Sequence, residues 1–298
     1  MTLGIKPSSD YWDGRFSNGK VWAEHIGPLL GYETENLATG GATTNNDYLS
    51  FVSFLGIHIP SSQDRINGVK DLLVDGMFPA GGQNVAYHEM GCNDLFSVAA
   101  DLDSGDLSIA NFTSTLSDIV TEQIEQLVKM RYRYVIAVNM PAIYKTPAAI
   151  DEGVVEIGLE LIPQYNQLLA AKTARLRDRA AGAVFGILDA EMLVRVSVSS
   201  PTILHVLGIT NTTGACLDTF DDNTGSSSET ADPRRACLDK DQFYFMDGTH
   251  PNRVIHRVFG YYAYEHIRAL DRGSSFDPTE QNLLWLIRRY SLDAPFDT

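Results

Sequence analysis

Residues 134–141 read Tyr134-Val135-Ile136-Ala137-Val138-Asn139-Met140-Pro141. The first five are apolar without alternation, three of them are β-branched, and the run stops at Asn-Met-Pro. A strand with one wet face alternates apolar with polar residues, so an unbroken apolar strand is covered on both faces. Ala183-Val184-Phe185-Gly186-Ile187-Leu188, ending at Asp189, repeats the pattern. Before residue 134, positions 113–130 place Leu116, Ile119, Val120, Ile124, Leu127 and Val128 at helical spacing. Between the two strands, 154–181 reads as a long helix that Pro163 kinks or splits. Strands of this kind alternating with helices predict an α/β domain with a parallel sheet between helical layers.

Working outward, residues 84–90 (NVAYHEM) form a third strand, less apolar at His88 and Glu89 than a central strand should be. It ends at Gly91-Cys92-Asn93-Asp94. A short strand at 35–38 runs into Gly40-Gly41. Ser61-Ser62 caps a helix carrying Ile66, Val69, Leu72 and Leu73. Ser17 or Asn18 caps another through Val21, Trp22, Ile26, Leu29 and Leu30, with Gly31 as its stop. An apolar helix covers 192–198. Pro251 opens a helix through Val254, Val258, Tyr262 and Ile267. In the tail, Asp277 as N-cap and Pro278 at the first helical position predict a helix over 277–290. Its stripe of Leu283, Leu286, Ile287 and Tyr290 must bury itself; we expect Leu283 and Ile287 to pack on the same chain, the alternative being a second subunit or a lid over the cleft. No linker and no internal repeat is visible, so we read 1–298 as one domain, with its core ending near residue 270.

The chain has 298 residues and a net charge of −15. Such a balance repels a nucleic acid duplex and an anionic membrane surface alike. No apolar run is long enough for a membrane span. The usual thiolate, imidazole and carboxylate clusters of metal sites are absent, so no metal or other cofactor is expected. Of the three cysteines, Cys216 and Cys237 flank a polar stretch that could form no core of its own, which predicts a disulfide. Cys92 is left as a free thiol. The sequons Asn111-Phe112-Thr113 and Asn211-Thr212-Thr213 are possible glycosylation sites and, with a disulfide, point to an oxidising, secreted setting. The first residues contain no apolar signal segment.

Three polar clusters fall where an open parallel sheet binds ligands, beyond the carboxyl ends of its strands. In Asp247-Gly248-Thr249-His250 a carboxylate can accept from imidazole Nδ1–H and leave Nε2 free as a base. The plainer alternative is that Asp247 caps the following helix and His250 faces solvent. Asn93 and the amide of Gly41 are suited to a developing oxyanion, because glycine lets a substrate approach closely. The alternative there is a turn at Gly40-Gly41 and an Asx turn at Asn93. Cys92 lacks any visible thiolate stabiliser and is a poor nucleophile.

Taken in order, DGRFSNGKVWAEHIGPLLG, NLATGGATTNN, MGCNDLF and FMDGTHPN resemble the blocks of the SGNH hydrolases, also called GDSL esterases and lipases. The resemblance runs to about Leu270. It implies a three-layer, flavodoxin-like α/β/α sheet and a serine esterase, lipase or acetylesterase without a cofactor. Its substrate would be a small ester, a lipid or an acetylated glycan. His250 is then the base, Asp247 its orienter, and Gly41 with Asn93 the oxyanion hole. The family's nucleophile lies in a Gly-Asp-Ser block upstream of the R-F-S-N-G loop, and no Gly-Asp-Ser occurs in these 298 residues. Ser8, Ser9 and Ser17 are not substitutes.

The first, central strand of the sheet would be lost with that block. That leaves buried backbone groups unpaired at about 1–3 kcal/mol each. We therefore expect a sequence cut short, inactive as written, rather than an evolved inactive form. A descendant that binds an acyl or glycan ligand without catalysis is the competing expectation.

Overall fold

The structure, a computed structural model, describes residues 7, 9–46, 59–74, 84–177, 182–217 and 237–296. Among them the elements run, in chain order, α1 (Ala23–Leu30), α2 (Ser62–Val74), β1 (Val85–Glu89), α3 (Cys92–Ser97), α4 (Ala99–Ser104), α5 (Ile109–Lys129) and β2 (Tyr134–Val138). There follow α6 (Pro147–Asp151), α7 (Val155–Arg177), β3 (Val184–Leu188), α8 (Ala190–Ser199), α9 (Pro201–Leu207), β4 (Asn211–Ala215), β5 (Phe243–Phe245), α10 (Arg253–Asp271) and α11 (Glu280–Tyr290). The chain divides into two compact units, each built from separated segments. Among the described residues, the first comprises those within Leu37–Pro141 and Glu156–Glu191; the second comprises those within Lys6–Asn36, Ala142–Val155 and Met192–Thr298.

In the first unit β1, β2 and β3 form a parallel sheet in that order, and the parallel α/β architecture read from the sequence is observed. The registers Glu89↔Val138 and Val138↔Leu188 bring the three carboxyl ends level. All five residues of β2 are buried, as its unbroken apolar run requires. β1 lies at the edge of this sheet, and there His88 is accommodated. Its Nε2 lies 3.0 Å from Ser62 Oγ and 2.9 Å from Gln123 Oε1. Phe112, Leu116 and Ile124 of α5 are fully buried. The helix begins earlier than the apolar spacing suggested, because the Ser108 hydroxyl accepts from Asn111 N–H and caps it. Ser61 and Asp64 form a reciprocal cap on α2, the Asp64 carboxylate accepting from Ser61 N–H at 2.8 Å and the Ser61 hydroxyl accepting from Asp64 N–H at 3.2 Å. α7 continues through Pro163 without a break.

The expected strand at 35–38 is absent: no strand is assigned there and neither sheet includes it. Four extended residues do not hold a strand without a ladder to pair with. Cys92, expected at a strand end, is instead the first residue of α3.

In the second unit β4 and β5 pair in parallel, with Asn211↔Phe243 and Ala215↔Phe245. Neither short strand stood out in the sequence. Cys216 and Cys237 are bonded, with Cα atoms 4.9 Å apart; the stretch 218–236 between them lies outside the described residues. The bonded pair extends the ladder, Cys216 N–H donating to Phe245 O and Leu217 N–H to Met246 O. The caps proposed for α1 are not used. Ser17 is fully buried, and the Asn18 side chain binds Asp241 and the amide of Arg253. Glu24 instead reaches back to the amide of Val21. Trp22 stacks on Phe259 of α10, centroids 4.8 Å apart.

The tail helix exists, and Leu283, Leu286 and Ile287 are completely buried within this single chain. Its N-cap is Thr279, which accepts from Asn282 N–H, rather than Asp277. Glu280 then takes a hydrogen bond from Ser200 at the start of α9. Trp285 stays half-exposed, its ring against Phe276 and Tyr290. Among the described residues no helix is long and apolar enough to cross a membrane.

Candidate active site

The second unit carries the candidate acid–base pair, Asp247 and His250. β5 runs straight into Met246-Asp247, and a tight turn follows. Met246 N–H donates to His250 O at 2.7 Å, and Phe245 bridges Pro251 across the turn. Asn252, not Asp247, caps α10 by accepting from Ile255 N–H. Asp247 therefore does not cap the helix as the plainer alternative had it, while His250 does meet solvent as that alternative expected. Its Oδ1 accepts from the amides of Thr249 and His250 at 2.8 and 2.7 Å. Imidazole Nδ1 of His250 lies 2.8 Å from Oδ2 and 3.0 Å from Oδ1. The Tyr11 hydroxyl donates to Oδ2 at 2.6 Å.

Burial works to raise the Asp247 pKa. The His250 charge and the hydrogen bonds from His250 and Tyr11 together outweigh it and bring the pKa down to about 2. Asp247 is therefore an acceptor at every physiological pH, which fixes the proton of a neutral His250 on Nδ1. The His250 side chain is 45% exposed against 5% for Asp247, so the imidazole meets solvent and the carboxylate does not. Phe16 stacks on the imidazole, centroids 4.8 Å apart and planes within 18°.

The first unit carries the two oxyanion candidates. Gly41 has φ of +77°, a left-handed conformation that a side chain would strain. Among the described residues its N–H has no hydrogen-bond acceptor. Asn93, in the first turn of α3, donates from Nδ2 to Ala42 O at 2.8 Å. This is a contact across the fold rather than an Asx turn, and it leaves the second amide hydrogen for a ligand. Gly91, φ +120°, starts this helix. A Cβ there would stand 2.9 Å from Met140 Cε, so that flexible side chain would have to shift, and the positive φ would itself strain any side chain.

Asp94 is fully buried and accepts from Thr44 N–H at 3.1 Å and Thr44 Oγ1 at 2.7 Å. It fastens the loop after Gly41 to the helix that carries Asn93. Burial raises its pKa against the opposing Thr44 bonds. Cys92 is a free thiol whose pKa burial pushes far up, which disfavours the thiolate a nucleophile needs.

Tyr11, Phe16 and the Asp94–Thr44 link were not found from the sequence, since their partners are remote along the chain. Ser8 lies outside the described residues, and Ser17 Oγ is buried with no hydrogen-bond partner among them. Asn111 is exposed, while Asn211 Oδ1 already accepts from the amides of Thr213 and Gly214.

The family model described as GDSL-like Lipase/Acylhydrolase matches residues 2–262. The chain belongs to this family. By its description, that family is one of lipases and acylhydrolases. This GDSL protein is 23% identical over 260 residues to a thermolabile hemolysin of Vibrio parahaemolyticus serotype O3:K6 (strain RIMD 2210633). The match takes in 84% of this chain and 56% of that relative, so the GDSL chain spans little more than half its length.

Proposed function

We propose that this GDSL protein serves carboxylic ester hydrolysis by a Ser-His-Asp mechanism. The observation that carries the reading is the Asp247–His250 pair, a buried carboxylate on Nδ1 of a half-exposed imidazole. His250 Nε2 takes the proton of a serine hydroxyl as the oxygen attacks the ester carbonyl, then gives it to the leaving alcohol. Asp247 holds the imidazole and balances the imidazolium. The Gly41 amide and Asn93 Nδ2 stabilise the oxyanion. These roles require all four residues to reach one ester carbonyl. The substrate is an ester, a lipid or an acetylated glycan.

The 298 residues hold no Gly-Asp-Ser, so we propose that the serine belongs to sequence outside them and that the chain alone is inert. The same absence favours a second reading, a protein that binds an acyl or glycan ligand without turning it over. The Cys216–Cys237 bond and the two sequons support a secreted protein. The experiment is p-nitrophenyl acetate turnover by the chain alone and by the chain preceded by the residues encoded just upstream. Activity only in the extended protein, lost in His250→Ala, is expected. Turnover by neither form, with ester analogues still bound, supports the second reading.

A further inference from the structure

We propose that Tyr11 is a positioning residue for the acid–base pair, its hydroxyl fixing the plane of the Asp247 carboxylate so that His250 keeps its proton on Nδ1. This deepens the reading of His250 as general base and rests on it. The backbone amides of Thr249 and His250 both reach Oδ1. A carboxylate tied at one oxygen can still turn about its last torsion, which is soft for aspartate. The Tyr11 hydroxyl ties the other oxygen, at a distance typical of a charge-assisted bond.

There is a competitor that makes this tie matter. The Thr249 hydroxyl, which donates to Asp247 Oδ1 at 3.3 Å, also lies 3.1 Å from His250 Nδ1. A hydroxyl can donate to an unprotonated Nδ1, which would move the imidazole proton to Nε2 and abolish the base. Asp247, as a pure acceptor, allows only the protonated Nδ1. Holding Asp247 in plane therefore decides the tautomer.

Tyr11 is itself held. Its ring meets Phe16 edge-on, centroids 5.5 Å apart, and Phe16 stacks on His250. The segment between them closes on itself through Trp12 N–H to Ser17 O. Asp247, Tyr11, Phe16 and His250 thus form a closed circuit within one compact unit, joining residues 236 apart in sequence. No sequence motif announces it.

The test is NMR of the ¹⁵N-histidine-labelled chain at neutral pH, comparing wild type with Tyr11→Phe, which keeps the ring and removes only the hydroxyl. His250→Gln assigns the His250 signals, and those of His88 and His266 report that the fold is intact. In wild type His250 should be a single Nδ1–H tautomer with a slowly exchanging proton. In Tyr11→Phe the tautomers should mix and exchange quicken by about tenfold, as for loss of one hydrogen bond to a charged group. Phe16→Leu should leave the tautomer unchanged, because the hydroxyl remains. Unaltered His250 signals in Tyr11→Phe would overturn the proposal. The p-nitrophenyl acetate assay, run on the extended protein, separates the two claims. A shifted tautomer without hydrolysis in any form keeps the positioning role and removes the esterase; hydrolysis with an unshifted tautomer does the reverse.

Discussion

The turn at 247–250 and the pair of segments at 41–46 and 91–94 hold candidate catalytic groups in opposite ways. Most of the hydrogen bonds that shape the turn join residues two to four apart, and Tyr11 adds one from afar. The oxyanion segments depend on bonds between residues about fifty apart, Asn93 to Ala42 and Thr44 to Asp94. A local device can form as soon as its own few residues do. A distant one exists only once the sheet and α3 have assembled, so it should fail whenever that unit loosens.

Acid gives the largest effect with which to break this contrast. Burial lowers the pKa of His25, His88 and His266 to about 4 and of His256 to about 3. All four stay neutral in the fold and take up protons on unfolding. Stability should therefore fall as pH drops below about 6.5, with the loss complete near pH 4 for three of them and near pH 3 for His256. Three of the four lie in the unit of the turn and only His88 in the other. Hydrogen exchange should show α1 and α10 losing protection at a higher pH than β2; the opposite order would show that the buried histidines do not make the turn's unit the more acid-labile of the two.

Asp94→Ala comes next. It strands Thr44 N–H and hydroxyl in a dry site, at about 4 kcal/mol. Urea denaturation should report that loss, while the His250 NMR signals stay in place. If they move, the two devices are coupled and the contrast fails. Reducing Cys216–Cys237, which closes a sequence separation of 21, should remove about 3 kcal/mol and loosen the turn through β4. Asn93 and Ala42 amide exchange should be unaffected. Thr279→Ala should give the smallest change, about 1 kcal/mol for a lost cap, measured by thermal melting. The cost appears without any change of mass in light scattering if α11 serves only its own chain.

This contrast also explains what the sequence could reveal. β2 was legible because burial on both faces leaves no polar residue to interrupt it; β3 has an equally unbroken apolar run, although only Leu188 of it is fully buried and the rest is partly exposed. Asp247 and His250 were legible because their spacing is their geometry. β4 and β5 were not, being three to five residues long and held by pairing with each other. The caps of α1 and α11 were misplaced because Glu24 and Thr279 took the role over more obvious neighbours. Tyr11 could not be assigned at all, since a tyrosine in a polar loop says nothing of a carboxylate 236 residues away.

The stacking of Trp22 on Phe259 and the half-exposed Trp285 have an optical corollary. All three tryptophans, Trp12, Trp22 and Trp285, belong to the unit of the turn; the sheet of β1, β2 and β3 and its helices have none. Indole emission is thus blind to one half of the molecule, whereas far-ultraviolet dichroism sees both. Coincident curves from the two signals would mark a single cooperative transition. Curves that separate would time the two units individually, with no label added.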